Sequence, residues 1–113
     1  MAIECDCELP TASHAKFELV REVGVDETEG RFAAVDIKRC RDCGAYWLRY
    51  SVEYEAFSRS GRWARGRIEP QDVEGLMPED APKYLEGLSS YIAGGSYFGG
   101  VAAVRHGRMH WGL

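Results

Sequence analysis

Cys40-Arg41-Asp42-Cys43-Gly44-Ala45-Tyr46-Trp47-Leu48-Arg49-Tyr50-Ser51-Val52 is the stretch on which the reading of this chain turns. Two thiols stand two residues apart, a glycine follows, and apolar residues then begin to alternate with polar ones. Tyr46, Leu48, Tyr50 and Val52, continued by Tyr54 and Ala56, share one parity; Trp47, Arg49, Ser51, Glu53 and Glu55 share the other. Period two in residue types that favour extended backbone predicts a strand over residues 45–57. Ser58-Arg59-Ser60-Gly61 supplies a turn and 62–68 returns as a strand, so residues 45–68 form an antiparallel hairpin.

Upstream, residues 31–39 read as a strand with Ala33, Val35 and Ile37 on one face. Residues 15–23 read as another, with Phe17, Leu19 and Val23 in one parity. The polar run Asp26-Glu27-Thr28-Glu29-Gly30 joins them as a turn, which gives a first hairpin. Downstream, residues 70–75 form a short helical turn or loop. Residues 80–93 fit a helix: Asp80 can cap it, Pro82 falls in the first turn, and Tyr84, Leu85, Leu88, Tyr91 and Ile92 lie at helical spacing. Gly94-Gly95 stops it, and residues 101–104 form a last short strand. The expected fold is α+β: a mostly antiparallel sheet of four or five strands with one helix near the C-terminus. It is one domain, 1–113, in which 1–44 is the cysteine-bearing hairpin part and 45–113 holds the second hairpin, the helix and a tail.

With 113 residues, 45% hydrophobic and 28% charged, the chain can bury one core and is not a disordered segment. No apolar run is long enough to span a membrane. The acidic start, Met1-Ala2-Ile3-Glu4-Cys5-Asp6-Cys7-Glu8, lacks the basic-then-apolar layout of a signal peptide, which makes the cytoplasm the expected compartment. Thiols stay reduced there, so four cysteines read as metal ligands before disulfides. The net charge is −4, carried by residues 1–57 at −5 against 58–113 at +1. Such a balance disfavours general binding to a phosphate backbone.

Cys5-x-Cys7 and Cys40-x-x-Cys43 supply four soft donors, the set that tetrahedral Zn²⁺ takes at about 2.3 Å. Gly44 permits a positive φ after the second pair and leaves backbone N–H groups free to face sulfur. The 32 residues between Cys7 and Cys40 contain the first hairpin, whose ends return to one place. Free structural cysteines and a redox or disulfide pair are the competing readings. A thioredoxin-type Cys-x-x-Cys opens a helix, whereas here a strand follows. The segment Cys40-Arg41-Asp42-Cys43-Gly44, leading into that strand, resembles the knuckle of zinc ribbons and rubredoxin-like domains, and the resemblance implies a structural zinc ion. The whole chain is also similar, more loosely, to small bacterial immunity-type proteins, which implies a bacterial protein that binds another protein.

Two further sets of residues stand out. His106 and His110 are four apart, but Gly107 and Gly112 argue for a polar tail rather than a metal-binding helix; His14 could substitute for one cysteine. Trp47, Arg49, Trp63, Arg65 and Arg67 share one sheet face of the second hairpin, opposite the more apolar Leu48–Val52 face. Exposed tryptophans framed by arginines suit a protein interface or a single-strand nucleic-acid platform. They also suit an unremarkable cation–π surface, and the C-terminal tail with Tyr97, Phe98 and Trp111 could fold back to cover them. No nucleophile elbow or phosphate loop is present. The expectation is a small non-enzymatic zinc-binding protein that acts as a protein-interaction module, with a nucleic-acid-binding zinc ribbon or a small metal-dependent enzyme as alternatives.

Overall fold

In the computed structural model, which describes residues 5–53, 58–109 and 111, the chain folds as one six-stranded sheet. The strands are β1 (Phe17–Asp26), β2 (Ala33–Cys40), β3 (Tyr46–Val52), β4 (Arg62–Arg67), β5 (Tyr91–Gly94) and β6 (Ala103–Arg105). Every neighbour follows in chain order and every pair is antiparallel, so the sheet is an uninterrupted meander. Between β4 and β5 lies α1 (Ala81–Glu86), entered through a 3₁₀ turn at Pro78–Asp80. No helix among the described residues is long and apolar enough to cross a membrane.

Six strands correct the expected four or five, and the difference comes from one segment. The helix expected over 80–93 ends at Glu86, and Gly87 takes its C-terminal capping place. Tyr91 and Ile92 satisfy helical spacing and strand alternation equally well, so spacing cannot separate the two. The chain resolves the ambiguity by pairing Tyr91 with Arg105 and Ile92 with Val104, with β4 on the other side. All four residues of β5 are buried, as an interior strand requires. The expected hairpins at 15–39 and 45–68 form with modest changes of boundary; residues 54–57 of the expected third strand lie outside the described residues.

The sheet has two unlike faces. Val35, Ile37, Leu48, Tyr50, Val52, Ala64, Tyr91 and Ala93 line the main core, closed by Val73, Leu76, Leu85, Met109 and Trp111. The helix approaches closely because β4 carries Gly66 there: a Cβ at that position would lie 2.8 Å from Leu85 and 2.5 Å from Leu88. Trp111 packs edge-on against Tyr50 with ring centres 4.6 Å apart, so the tail closes this face and not the one that carries Trp47. The opposite face buries a smaller cluster of Cys7, Cys40, Trp47 and Ile92, with Phe17 and Trp63 packed against it.

A polar network is sunk into the edge of the main core. Asp26, 1% exposed at the end of β1, accepts the Tyr50 hydroxyl at 2.5 Å and the Thr28 N–H at 2.9 Å, and lies 3.5 Å from the Arg31 guanidinium. Burial alone would push the Asp26 carboxyl up, but hydrogen bonds from Thr28 and Tyr50 and the charge of Arg31 outweigh it and hold the group below the usual carboxylate range. Burial, then the carboxylate beside it, push the Tyr50 phenol up. A lowered folded-state pKa contributes stability above the unfolded value, lost as pH falls through the folded one. The melting temperature should therefore decline below about pH 4 in the wild type, and Asp26→Asn should remove part of that decline. At neutral pH Asp26→Asn should cost about 1–3 kcal/mol in denaturant unfolding. An unchanged acid limb in the variant would contradict this assignment.

Candidate metal centre

The turn between β2 and β3 is built by the Cys40–Gly44 stretch itself. Cys40 N–H donates to the Ala45 carbonyl and Gly44 N–H to the Cys40 carbonyl, both at 2.9 Å. Gly44 has φ +78°, the left-handed conformation that glycine adopts without steric cost. This geometry turns the backbone N–H groups of Cys43 and Asp42 toward the Cys40 sulfur. Burial would push the Cys40 thiol up, but those N–H groups and the sulfurs of Cys5 and Cys43 bring it down to about 7. The N-terminal pair repeats the device in shorter form: the chain turns at Asp6–Glu8, Glu8 N–H donates to the Cys5 carbonyl at 3.1 Å, and the Cys7 N–H faces the Cys5 sulfur. The Cys7 thiol is pushed up, by its burial first and then by the neighbouring sulfurs.

The first hairpin brings these two turns together, as its topology demands. Phe17 at the start of β1 stands opposite Cys40 at the end of β2. Arg41 N–H donates to the Lys16 carbonyl at 2.8 Å, and the Lys16 ammonium meets the Asp42 carboxylate. The sulfurs of Cys5 and Cys40 are 3.6 Å apart, as are those of Cys7 and Cys43, and all four lie within 4.8 Å of one another. A tetrahedron with metal–sulfur bonds of about 2.3 Å has edges of about 3.8 Å. All four thiols are free. Cys7 and Cys40 are fully buried, Cys5 partly so, and Cys43 is exposed. The donor set, its spacing and the N–H groups aimed at sulfur fit a tetrahedral metal ion and are compatible with a zinc-ribbon-like knuckle. His14 and His106 are exposed and outside this cluster, and His110 lies outside the described residues.

Arg65 fastens the N-terminal segment over the sheet, a role that sequence reading did not find. One of its terminal nitrogens donates to the carbonyls of Cys7 at 3.0 Å and Leu9 at 2.7 Å. The guanidinium sits 5.2 Å from the ring centre of Phe17, 5.3 Å from Trp47 and 5.7 Å from Trp63. The indole N–H of Trp47 makes no hydrogen bond of standard geometry, yet it lies close enough to the Cys7 sulfur to offset a small part of the rise in that thiol.

These contacts correct one sequence expectation. Trp47 and Arg65, read as exposed, are 4% and 7% exposed, because the N-terminal segment and not the C-terminal tail covers them. Trp63 and Arg49 are half-buried, and the Arg67 side chain is 55% exposed, 3.6 Å from Glu8. Trp47, Arg49, Trp63 and Arg65 line one pocket with Pro10, Ala12, His14, Phe17 and Lys38; Arg67 borders a separate groove beside Cys5 and Cys43. The signal available in the sequence was the parity that puts Trp47, Arg49, Trp63 and Arg65 on one face. Nothing in it told that residues 5–16 would lie across half of that face.

Comparison of the chain with protein-family models, curated proteins and solved structures gives no match. The class is therefore defined by fold and site geometry: a small β-meander protein with four cysteine sulfurs close enough together to hold a metal ion.

Because a metal bound only by the folded state contributes its binding energy to folding, Cys40→Ser should be far more damaging than Glu27→Ala on the exposed turn. Expected values are a melting temperature lowered by about 10 °C or more for Cys40→Ser and a change within about 0.5 kcal/mol for Glu27→Ala. Equal melting of wild type, Cys40→Ser and chelator-treated protein would contradict the metal centre.

Proposed function

We propose that this protein is a zinc-stabilised, non-enzymatic binding module of the cytoplasm whose partner is another protein. The observation that carries the reading is the set of four cysteine sulfurs within 4.8 Å of one another, drawn from two turns far apart in sequence. Thiolate donors in tetrahedral spacing suit Zn²⁺, and four of them close the coordination shell. A catalytic zinc keeps one position for water or substrate; this arrangement leaves none. The ion is structural in this reading: it ties residues 5–9 to the β2–β3 turn and so shapes the edge of the Trp47 face. That edge supplies tryptophan and arginine, the residue types that dominate protein-binding hot spots. A net charge of −4 weighs against a nucleic-acid ribbon.

Native mass spectrometry and elemental analysis of protein purified without added metal should find close to one zinc per chain. A folded, metal-free protein with four free thiols would overturn the zinc reading. For the partner, a protein co-purifying with the wild type should be lost with Trp63→Ala or Arg49→Glu and retained with Glu79→Lys on the far side. Binding to single-stranded RNA or DNA that collapses steeply with salt would favour the nucleic-acid alternative instead.

A further inference from the structure

On the face that carries Trp47, the register of β3 and β4 places Arg49 directly opposite Arg65. Like charges in that relation destabilise a sheet. Burial first, then the charge of Arg49, push the Arg65 guanidinium down. The strand on the other side of β3 offsets this charge only in part: the charges of Lys38 and Arg49 act on the Asp36 carboxyl, but burial outweighs them and pushes that carboxyl up. Asp36 stands opposite Arg49 and Lys38 opposite Trp47, yet no ion pair joins Asp36 to Arg49 or Lys38 among the described residues. One carboxylate oxygen of Asp36 is buried without a partner, and so is Nε of Arg65.

The two arginines meet in a formed cavity. It has a volume of about 70 Å³, several times the space one water needs. Its walls are the rings of Phe17, Trp47 and Trp63 with Pro10 and Ala12; its polar lining is His14, Lys38, Arg49 and Arg65, with no acid. Flat apolar walls, a cationic rim and a like-charge pair of which Arg65 is buried and Arg49 half-buried together describe a site for a flat anion. Its size suits a single ring rather than a nucleotide. Arg65 is already committed to the carbonyls of Cys7 and Leu9, which leaves Arg49 and Lys38 as the groups able to receive the charge.

We propose that this pocket binds a small carboxylate carried on a flat apolar body, its ring against Trp47, Trp63 and Phe17 and its carboxylate at Arg49 and Lys38. The inference goes beyond the binding-module reading and stands on the pocket rather than on the thiols, although it needs residues 10–14 in place. The same chemistry is offered by a free aromatic acid and by the C-terminal carboxylate of a protein ending in an aromatic residue.

The test uses the full chain, isotopically labelled, with its metal content measured on the same sample. Tryptophan indole N–H resonances are followed by NMR while benzoate, benzamide or acetyl-Gly-Phe is added. Benzoate should shift the Trp47 and Trp63 signals saturably, benzamide should bind about tenfold more weakly or worse, and Arg49→Gln should weaken benzoate by about tenfold with unchanged metal content. Acetyl-Gly-Phe binding as well as benzoate points to a protein terminus as the source, and benzoate alone to a free acid; either supports the proposal. No saturable shift, or equal binding of benzoate and benzamide, overturns it. Should Arg49→Gln fold poorly, the benzoate and benzamide comparison on the wild type decides. A protein partner that binds while none of the probes does would leave the module reading intact and remove this one.

Discussion

Four thiol groups drawn within 4.8 Å of one another are held together in this chain by what surrounds them rather than by each other. Reduced sulfurs have little mutual attraction, and as thiolates they repel; a divalent cation held among them would convert that repulsion into a strong local tie. The consequences spread along the chain. Residues 5–9 have no strand or helix of their own beyond one 3₁₀ turn, so they cannot fold by propensity. Once they are fixed beside Cys40 and Cys43, their backbone carbonyls become acceptors for Arg65. Trp47 is then buried, and a pocket opens where the covering segment stops.

The sheet is thereby divided into one face that carries the main core and one bordered by the four cysteines. The main core gathers buried residues from four strands, with Val23 of β1 packed against them, and closes on α1 and the segment that carries Met109 and Trp111. It is large enough to define the fold in the ordinary way, by removal of apolar surface from water. The opposite cluster contains four fully buried residues, two of them cysteines. A cluster that small contributes little by burial alone. A metal held at its edge would therefore add most where burial adds least, and would join two turns that stand 32 residues apart into one structural unit.

How far this was legible in the sequence follows the same division. Both hairpins could be read because alternation over β2, β3 and β4 is strong and their turns are polar. The cysteine cluster could be read because the hairpin between the pairs dictates where they meet. Of the helix expected over 80–93, the part beyond Glu86 was misread because Tyr84, Leu85, Leu88, Tyr91 and Ile92 satisfy a helical stripe, while Tyr91 and Ile92 also suit a strand. Only the partners on β4 and β6 decide between them, and pairing of that kind is tertiary information. Burial of Trp47 and Arg65 was missed for a related reason. Strand parity tells which side a residue faces but not what lies on that side, and residues 5–16 carry no periodic pattern to announce that they cover it.

β1 shows how the two halves of the molecule are joined. It is an edge strand, interrupted by register shifts between Leu19 and Arg21 and between Glu22 and Gly24. Leu19 and Val25 are more than half exposed, so its own packing is thin. What holds it is fixed at its two ends by different chemistry. At Phe17 it is pinned opposite Cys40 beside the cysteine cluster, and at Asp26 it is pinned by a buried carboxylate bound to Tyr50 and Arg31. Between them, Arg21 reaches across to the carbonyls of Val73 at 2.7 Å and Leu76 at 3.0 Å. The end anchors share no residue and lie at opposite ends of a ten-residue strand, a separation at which energetic effects are close to additive. With a metal on the four sulfurs, one anchor would respond to metal supply and the other to acid. Loss of either therefore frees one end of the edge strand while the remaining anchor keeps the other end in register.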